Sequence, residues 1–254
     1  MLCFSRRSIC CYFIFSLIPF AALAEQNRSL PNTNAGPAIQ PATAELRGDI
    51  MMAQRRFVKA IEMYRLADPN SPVVANKIGI AYHQMHLLSL AKKSYERAIK
   101  LNPKYSDAIK NLGTNYYGEK RYGKSVSYYR KAMRCATSPS ATIASNIGSA
   151  YFARKKYSDA AEWYEKAVRI DPEVFDRHSS AGTVMQERTI AERAIFHLYL
   201  AKTYAKSGIN DRALVYLRQA LEEGVKNPNK IPEMPEFAGL RGDLRFQQLM
   251  ALQN

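Results

Sequence analysis

Residues 146–172 read NIGSAYFARKKYSDAAEWYEKAVRIDP, and the residue types at Gly148, Tyr151, Ala160, Tyr164 and Ala167 recur along the chain at one period. Gly79, Gly113 and Gly148 stand 34 and 35 residues apart. Tyr82, Tyr116 and Tyr151 keep the same spacings, as do Tyr95, Tyr129 and Tyr164, and Ala98, Ala132 and Ala167. Several unrelated residue classes holding one period mark a repeat protein.

The physics of one unit explains which types recur. Ile147, Gly148 and Tyr151 fall three to four residues apart, so they share one stripe of a helix. Gly inside a helix costs about 1 kcal/mol relative to Ala, and its recurrence implies a neighbouring helix packed close enough to compensate. Ala160, Tyr164 and Ala167 form the stripe of a second helix, with small residues on either side of a large one. Pro103, Pro172 and the Thr137-Ser138-Pro139 segment then end the second helices, because Pro cannot continue them. The spacing predicts an all-α fold, a solenoid of about five helix-turn-helix units.

These residues resemble the tetratricopeptide repeat family, whose 34-residue unit carries Leu-Gly, Tyr, Ala, Phe and Pro at such offsets. Repeat two runs from Pro72 to Tyr105, repeat three from Ser106 to Pro139 with Ser125 in place of the usual Ala, and repeat four holds the quoted stretch. The outer units are less regular. Repeat one has Gly48, Ala60, Tyr64 and Ala67, but Arg47 in place of Leu, which predicts a short or atypical first helix. Repeat five has Leu200-Ala201, Tyr204, Ala213, Leu217 and Ala220. Gly148 to Ala201 is 53 residues, one period plus 19, which places an insertion at 175–193. The insertion is expected to bulge out or to extend the following helix backwards. The array therefore covers 44–227, followed at 228–254 by a Pro-rich segment whose Leu240, Phe246 and Leu249 are suited to cap the last repeat.

The chain's start is a different polymer. Arg6 and Arg7 precede an apolar run from Ile9 to Leu23 and the small-x-small site Ala22-Leu23-Ala24, the pattern of a secretory signal peptide over 1–24. The run is shorter than the roughly 20 residues of a membrane span, and Pro19 interrupts it. No transmembrane segment is then expected after its removal, and the protein is expected to be exported, periplasmic or secreted. Residues 25–43, rich in Asn, Pro, Ala and Gln, read as a flexible linker. Of four cysteines only Cys135 follows the signal, so no internal disulfide forms, and a free Cys in a packed helix is expected to be buried.

The 254 residues carry 37 Lys and Arg against 22 Asp and Glu; without Arg6 and Arg7 the balance is 35 to 22, a charge of +13. That excess favours anionic partners, acidic protein segments among them. It is spread along the chain, so nucleic acid is an unlikely partner. The histidines His83, His86, His178 and His197 lie in no spacing of a catalytic, metal or phosphate site. Although His83 and His86 could share a helix face, no third metal ligand is indicated. No cofactor, metal, small-molecule substrate or enzymatic activity is expected.

What the resemblance implies is binding. In tetratricopeptide arrays the first helices line a concave groove that holds extended or helical partners. Carried over by offset, the groove positions are Asn76, Lys77, Ile80 and His83; Lys110, Asn111, Thr114 and Tyr117; Ser145, Asn146, Ser149 and Phe152; and Lys202 and Lys206. Asn and Lys suit main-chain carbonyls and carboxylates, and Tyr117 and Phe152 suit apolar side chains. Asn111 and Asn146 equally fit a purely structural role beside the repeat's Gly. Lys110 and Asn146 match two positions of the carboxylate clamp found in chaperone-tail binders, but Thr114, Ile195 and Tyr199 depart from it. The expectation is an exported, non-enzymatic scaffold that binds a protein or peptide in its groove, in assembly or maintenance of an envelope complex. The alternatives are a binder of polyanions, either envelope polymer or nucleic acid, and an enzyme accessory subunit.

Overall fold

A computed structural model of the chain describes residues 41–176 and 189–252, all within one compact unit. The expected signal segment, residues 25–40 of the expected linker and residues 177–188 of the insertion, His178 among them, lie outside the described residues.

Among the described residues ten helices form five consecutive pairs: α1 (Pro41–Ala53) with α2 (Phe57–Arg65), α3 (Pro72–Gln84) with α4 (Leu88–Leu101), α5 (Ser106–Gly118) with α6 (Tyr122–Cys135), α7 (Ala141–Ala153) with α8 (Tyr157–Ile170), and α9 (Ile190–Lys206) with α10 (Asn210–Glu222). Each pair packs on itself, and each of α2, α4, α6 and α8 also packs against the first helix of the next pair. Successive first helices touch as well, α3 with α5 and α5 with α7, while the second helices meet less. The first helices therefore form the inner, more crowded layer of the solenoid.

The recurring Gly and Tyr meet inside each pair. A Cβ on Gly148 would stand 2.5 Å from two carbons of the Tyr164 ring, and Gly48, Gly79 and Gly113 face Tyr64, Tyr95 and Tyr129 in the same way. All four rings are buried. In repeat five the corresponding pair is Ala201 with Leu217, both buried, a larger residue on one helix matched by a smaller one on the other.

One turn joins the helices of every pair. Arg55, His86, Lys120 and Lys155 have φ of 58–59° and Gly208 has φ of 73°, all in the left-handed region. The residue after each donates its N–H back to a helix carbonyl, as Lys156 does to Tyr151 at 3.0 Å and Ile209 to Tyr204 at 2.9 Å. This return bond is how a helix ends in a left-handed residue. His86 thus sits in the turn beyond α3 and not on a helix face with His83.

Helix α1 and Cys135 differ from the sequence reading, and α9 follows one of its two alternatives. Helix α1 is a full 13 residues and begins at Pro41, so residues 41–43 belong to it and not to the linker. Pro is compatible with a helix's first turn, where its missing N–H would bond nothing. Helix α9 begins at Ile190, set by a capping box in which Thr189 and Glu192 bond each other's backbone N–H, so residues 190–193 are helical. Cys135, the last residue of α6, is half-buried rather than enclosed. After α10 come two 3-10 turns (Pro228–Glu233 and Pro235–Leu240) and a short helix, α11 (Leu244–Ala251). They bury Ile231, Phe237, Leu240, Phe246 and Leu249 in the core of repeat five.

Candidate partner-binding groove

The inner layer brings together the first-helix positions of repeats two and three. Asn111 Nδ2 donates to Asn76 Oδ1 at 2.9 Å, tying α5 to α3. Asn76 is buried and Asn111 half-buried, so this pair has a structural role as well as a polar edge. Around it lie half-buried Ile80, Thr114, Tyr117 and Lys110. Thr114 Oγ1 accepts from the Tyr129 hydroxyl at 3.0 Å and donates to the Lys110 carbonyl at 3.3 Å. The Tyr117 ring lies edge-on to Tyr122, with centroids 5.1 Å apart.

His83 is part of the same layer. Its Nδ1 and the Oδ1 of buried Asn115 are both enclosed, while Asn115 Nδ2 donates to Glu119 at 3.0 Å. Burial holds the His83 pKa below its ordinary value, the charge of His86 acts in the same direction, and Asn115 opposes both. Asn115 escaped sequence reasoning because its offset carries small apolar residues, Ala81 and Ala150, in the neighbouring repeats.

The repeat-four positions are enclosed in the fold. Ser145, Asn146, Ser149 and Phe152 are all buried, because α7 is built almost wholly of small and apolar residues and its neighbours enclose it. Phe152, expected to receive a partner's apolar side chain, packs instead against Tyr157, Phe196 and Tyr199 with centroids 5.0, 5.6 and 6.3 Å away. With Tyr164, Phe175 and Tyr204 these rings join repeats four and five across the insertion. The insertion's described edge is thus a packing element: Phe175 enters the core, and Asp176 accepts from the Tyr216 hydroxyl at 3.0 Å.

The lysines are not free. Lys77 pairs with Glu45 and Asp49, each at 2.7 Å. Burial works against its charge, yet these hydrogen bonds outweigh it and raise its pKa. Lys110 pairs with Asp107 at 3.0 Å, Lys206 with Glu165 at 2.8 Å, and Lys202 with Glu236 of the second 3-10 turn at 2.8 Å. The expected basic groove is therefore largely neutralised from within, by carboxylates of repeats one, three and four and of the C-terminal segment. Burial pushes the Glu236 pKa up, but the Lys202 bond dominates and holds it below the usual range. A cavity of about 320 Å³ lies here, lined among others by Tyr199, Lys202, Lys206 and Pro235.

Two family models, both described as tetratricopeptide repeat, match residues 74–105 and 105–173. Residues 74–173 are tetratricopeptide repeats. Among solved structures, this repeat protein resembles MamA from Desulfovibrio magneticus RS-1 (residues 41 to the end), with 17% identity, 72% of this chain and 94% of that one covered, and a TM-score of 0.51. A second MamA structure shares 20% identity over 77% of this chain and 95% of its own, with a TM-score of 0.50. YrrB, described as a TPR protein with an unusual peptide-binding site, shares 15% over 72% and 86%, with a TM-score of 0.47. At these identities the likeness concerns the fold alone. No curated protein matches the chain.

Among the described residues no three His, Cys, Asp or Glu side chains are grouped to hold a metal ion. None of their helices is long and apolar enough to cross a membrane.

Proposed function

We propose that this tetratricopeptide repeat protein is an exported, non-enzymatic scaffold that binds a protein segment along the inner faces of α3 and α5, and that it serves assembly or maintenance of an envelope complex. The observation that carries this reading is the run of half-buried polar and apolar side chains from two successive repeats, Ile80, Lys110, Asn111 and Tyr117, around the Asn76–Asn111 bond. Helices hold that surface before any ligand arrives, which lowers the ordering cost of binding. Amide groups at its centre suit a partner's main chain, and the weakly paired Lys110 suits a carboxylate. Export rests on the signal-like composition of residues 1–24.

A photo-crosslinking residue placed at Lys110, compared with one at exposed Glu62 on α2, tests the groove in the native compartment. A discrete crosslinked partner is expected from position 110 only. Capture from position 62 with none from 110 would move the partner to the outer surface. Export is checked by the N-terminus of the purified protein, which is expected to be Glu25.

A further inference from the structure

Away from the groove, cations and aromatic rings alternate along the seam where the second helix of one repeat meets the first helix of the next. Arg130, on α6, donates to the Tyr151 hydroxyl at 2.9 Å, and its guanidinium carbon lies 5.9 Å from the Tyr151 ring centre and 5.8 Å from that of Trp163. Arg154 also lies over Tyr151, and Lys166 sits 4.9 Å above Trp163. One repeat earlier, Lys92, Arg121 and Lys124 surround Tyr116 at 5.6, 5.1 and 5.6 Å.

These cations are poorly neutralised. Among the described residues they meet carboxylates only where Lys92 lies 3.8 Å from Glu96 and Arg121 lies 3.4 Å from Glu119. Lys124, Arg130, Arg154 and Lys166 are exposed and form no described ion pair. The contrast with the groove lysines, each paired in cis, is sharp. Like charges gathered on one seam repel one another, and the ring faces that hold them in place leave their outward N–H groups unsatisfied by protein. An arriving anion relieves the repulsion and offers these donors acceptors in place of water.

We propose that this seam, across repeats three and four, is a second docking surface and that its partner is an acidic protein segment. Arg130 is the anchor, because one N–H is fixed on Tyr151 and the planar fork is pre-oriented to take a carboxylate. Carboxylates approach along the N–H edges and leave the rings as they are. Nucleic acid would bind single-stranded bases on open aromatic faces, and here cations already cover them. The charge complementarity and the covered rings therefore favour glutamate- and aspartate-rich polypeptide.

Trp163 is the chain's single tryptophan, so its emission reports on this surface. The full chain is titrated with a fluorescein-labelled deca-glutamate peptide, following both Trp163 emission and peptide anisotropy, at low and at physiological salt. Saturable binding is expected, weakened about tenfold or more by Arg130→Glu with Lys166→Glu and by added salt, and unchanged by Lys110→Glu in the groove. Should the double reversal lower the melting temperature, Lys124→Glu with Arg154→Glu serves in its place. No binding by the wild-type chain, or equal binding by the reversed variants, overturns the proposal. Loss in Lys110→Glu alone returns the ligand to the groove. Tighter, equally variant-sensitive binding of an oligothymidylate of equal charge replaces the peptide with nucleic acid.

Discussion

Gly148 and Tyr164 are fitted to each other. The ring occupies the space a Cβ would need, with the Ala160 carbonyl also 3.2 Å from that point. Gly148→Ala gains about 1 kcal/mol of helix propensity but loses more to overpacking, about 1–3 kcal/mol against a ring with nowhere to move. A net loss of up to about 2 kcal/mol is expected, read as a lower thermal midpoint. Repeat five shows the compensated arrangement, Ala201 with Leu217. Adding Tyr164→Leu to Gly148→Ala should therefore cost less than the two single losses summed, with a coupling of about 1–3 kcal/mol in a double-mutant cycle. His83 gives a second expectation at this scale. Its folded pKa lies below its ordinary value of 6.5, so the unfolded chain binds the proton more readily. The resulting stability is fully present above about 6.5 and is lost as pH falls below it toward the folded pKa. Thermal melts between pH 7 and pH 5 should show a smaller acid-induced decline in His83→Gln than in the wild type.

At the scale of elements the turns follow one rule with one exception in sequence. All five place a residue at positive φ, yet only repeat five uses Gly, at Gly208. A residue with a Cβ in that conformation costs about 1 kcal/mol or somewhat more. Lys155→Gly is expected to raise stability by about that amount, a shift of a few degrees in the thermal midpoint, because the 3.0 Å return bond from Lys156 to Tyr151 does not depend on the side chain. An unchanged or lower midpoint would mean that the Lys155 side chain contributes something the backbone does not reveal. The helix pairs, the Gly–Tyr facing and the stop signals at Pro103 and Pro172 were all legible in the sequence, since each depends on residues within one repeat. The beginning of α9 was less so. Thr189 and Glu192 form a recognisable capping box, but the repeat's offsets alone left open whether the insertion would bulge out or extend this helix backwards.

Across the whole solenoid the two ends differ. Offsets that face the preceding repeat are buried at Ala81, Asn115, Ala150 and Thr203, whereas in repeat one the equivalent Ile50 is 46% exposed and Leu46 beside it 60%. At the other end the 3-10 turns and α11 cover repeat five, and Glu236 takes up Lys202. The groove changed most between sequence and structure for the same reason. Offsets carried over from the repeat identify which helix a residue occupies, but they do not know which neighbours enclose it. By itself the sequence determined the all-α repeat architecture and the residues of its packing code, because those rest on periodicity and on contacts inside one 34-residue unit. Only the tertiary structure decided that Phe152 is a joint between repeats, that the groove lysines are paired in cis, and that the unpaired cations gather on the seam of repeats three and four. Burial and charge balance at each point are set by residues from different repeats and from the C-terminal segment, far apart in the chain, and no local pattern records which of them will meet.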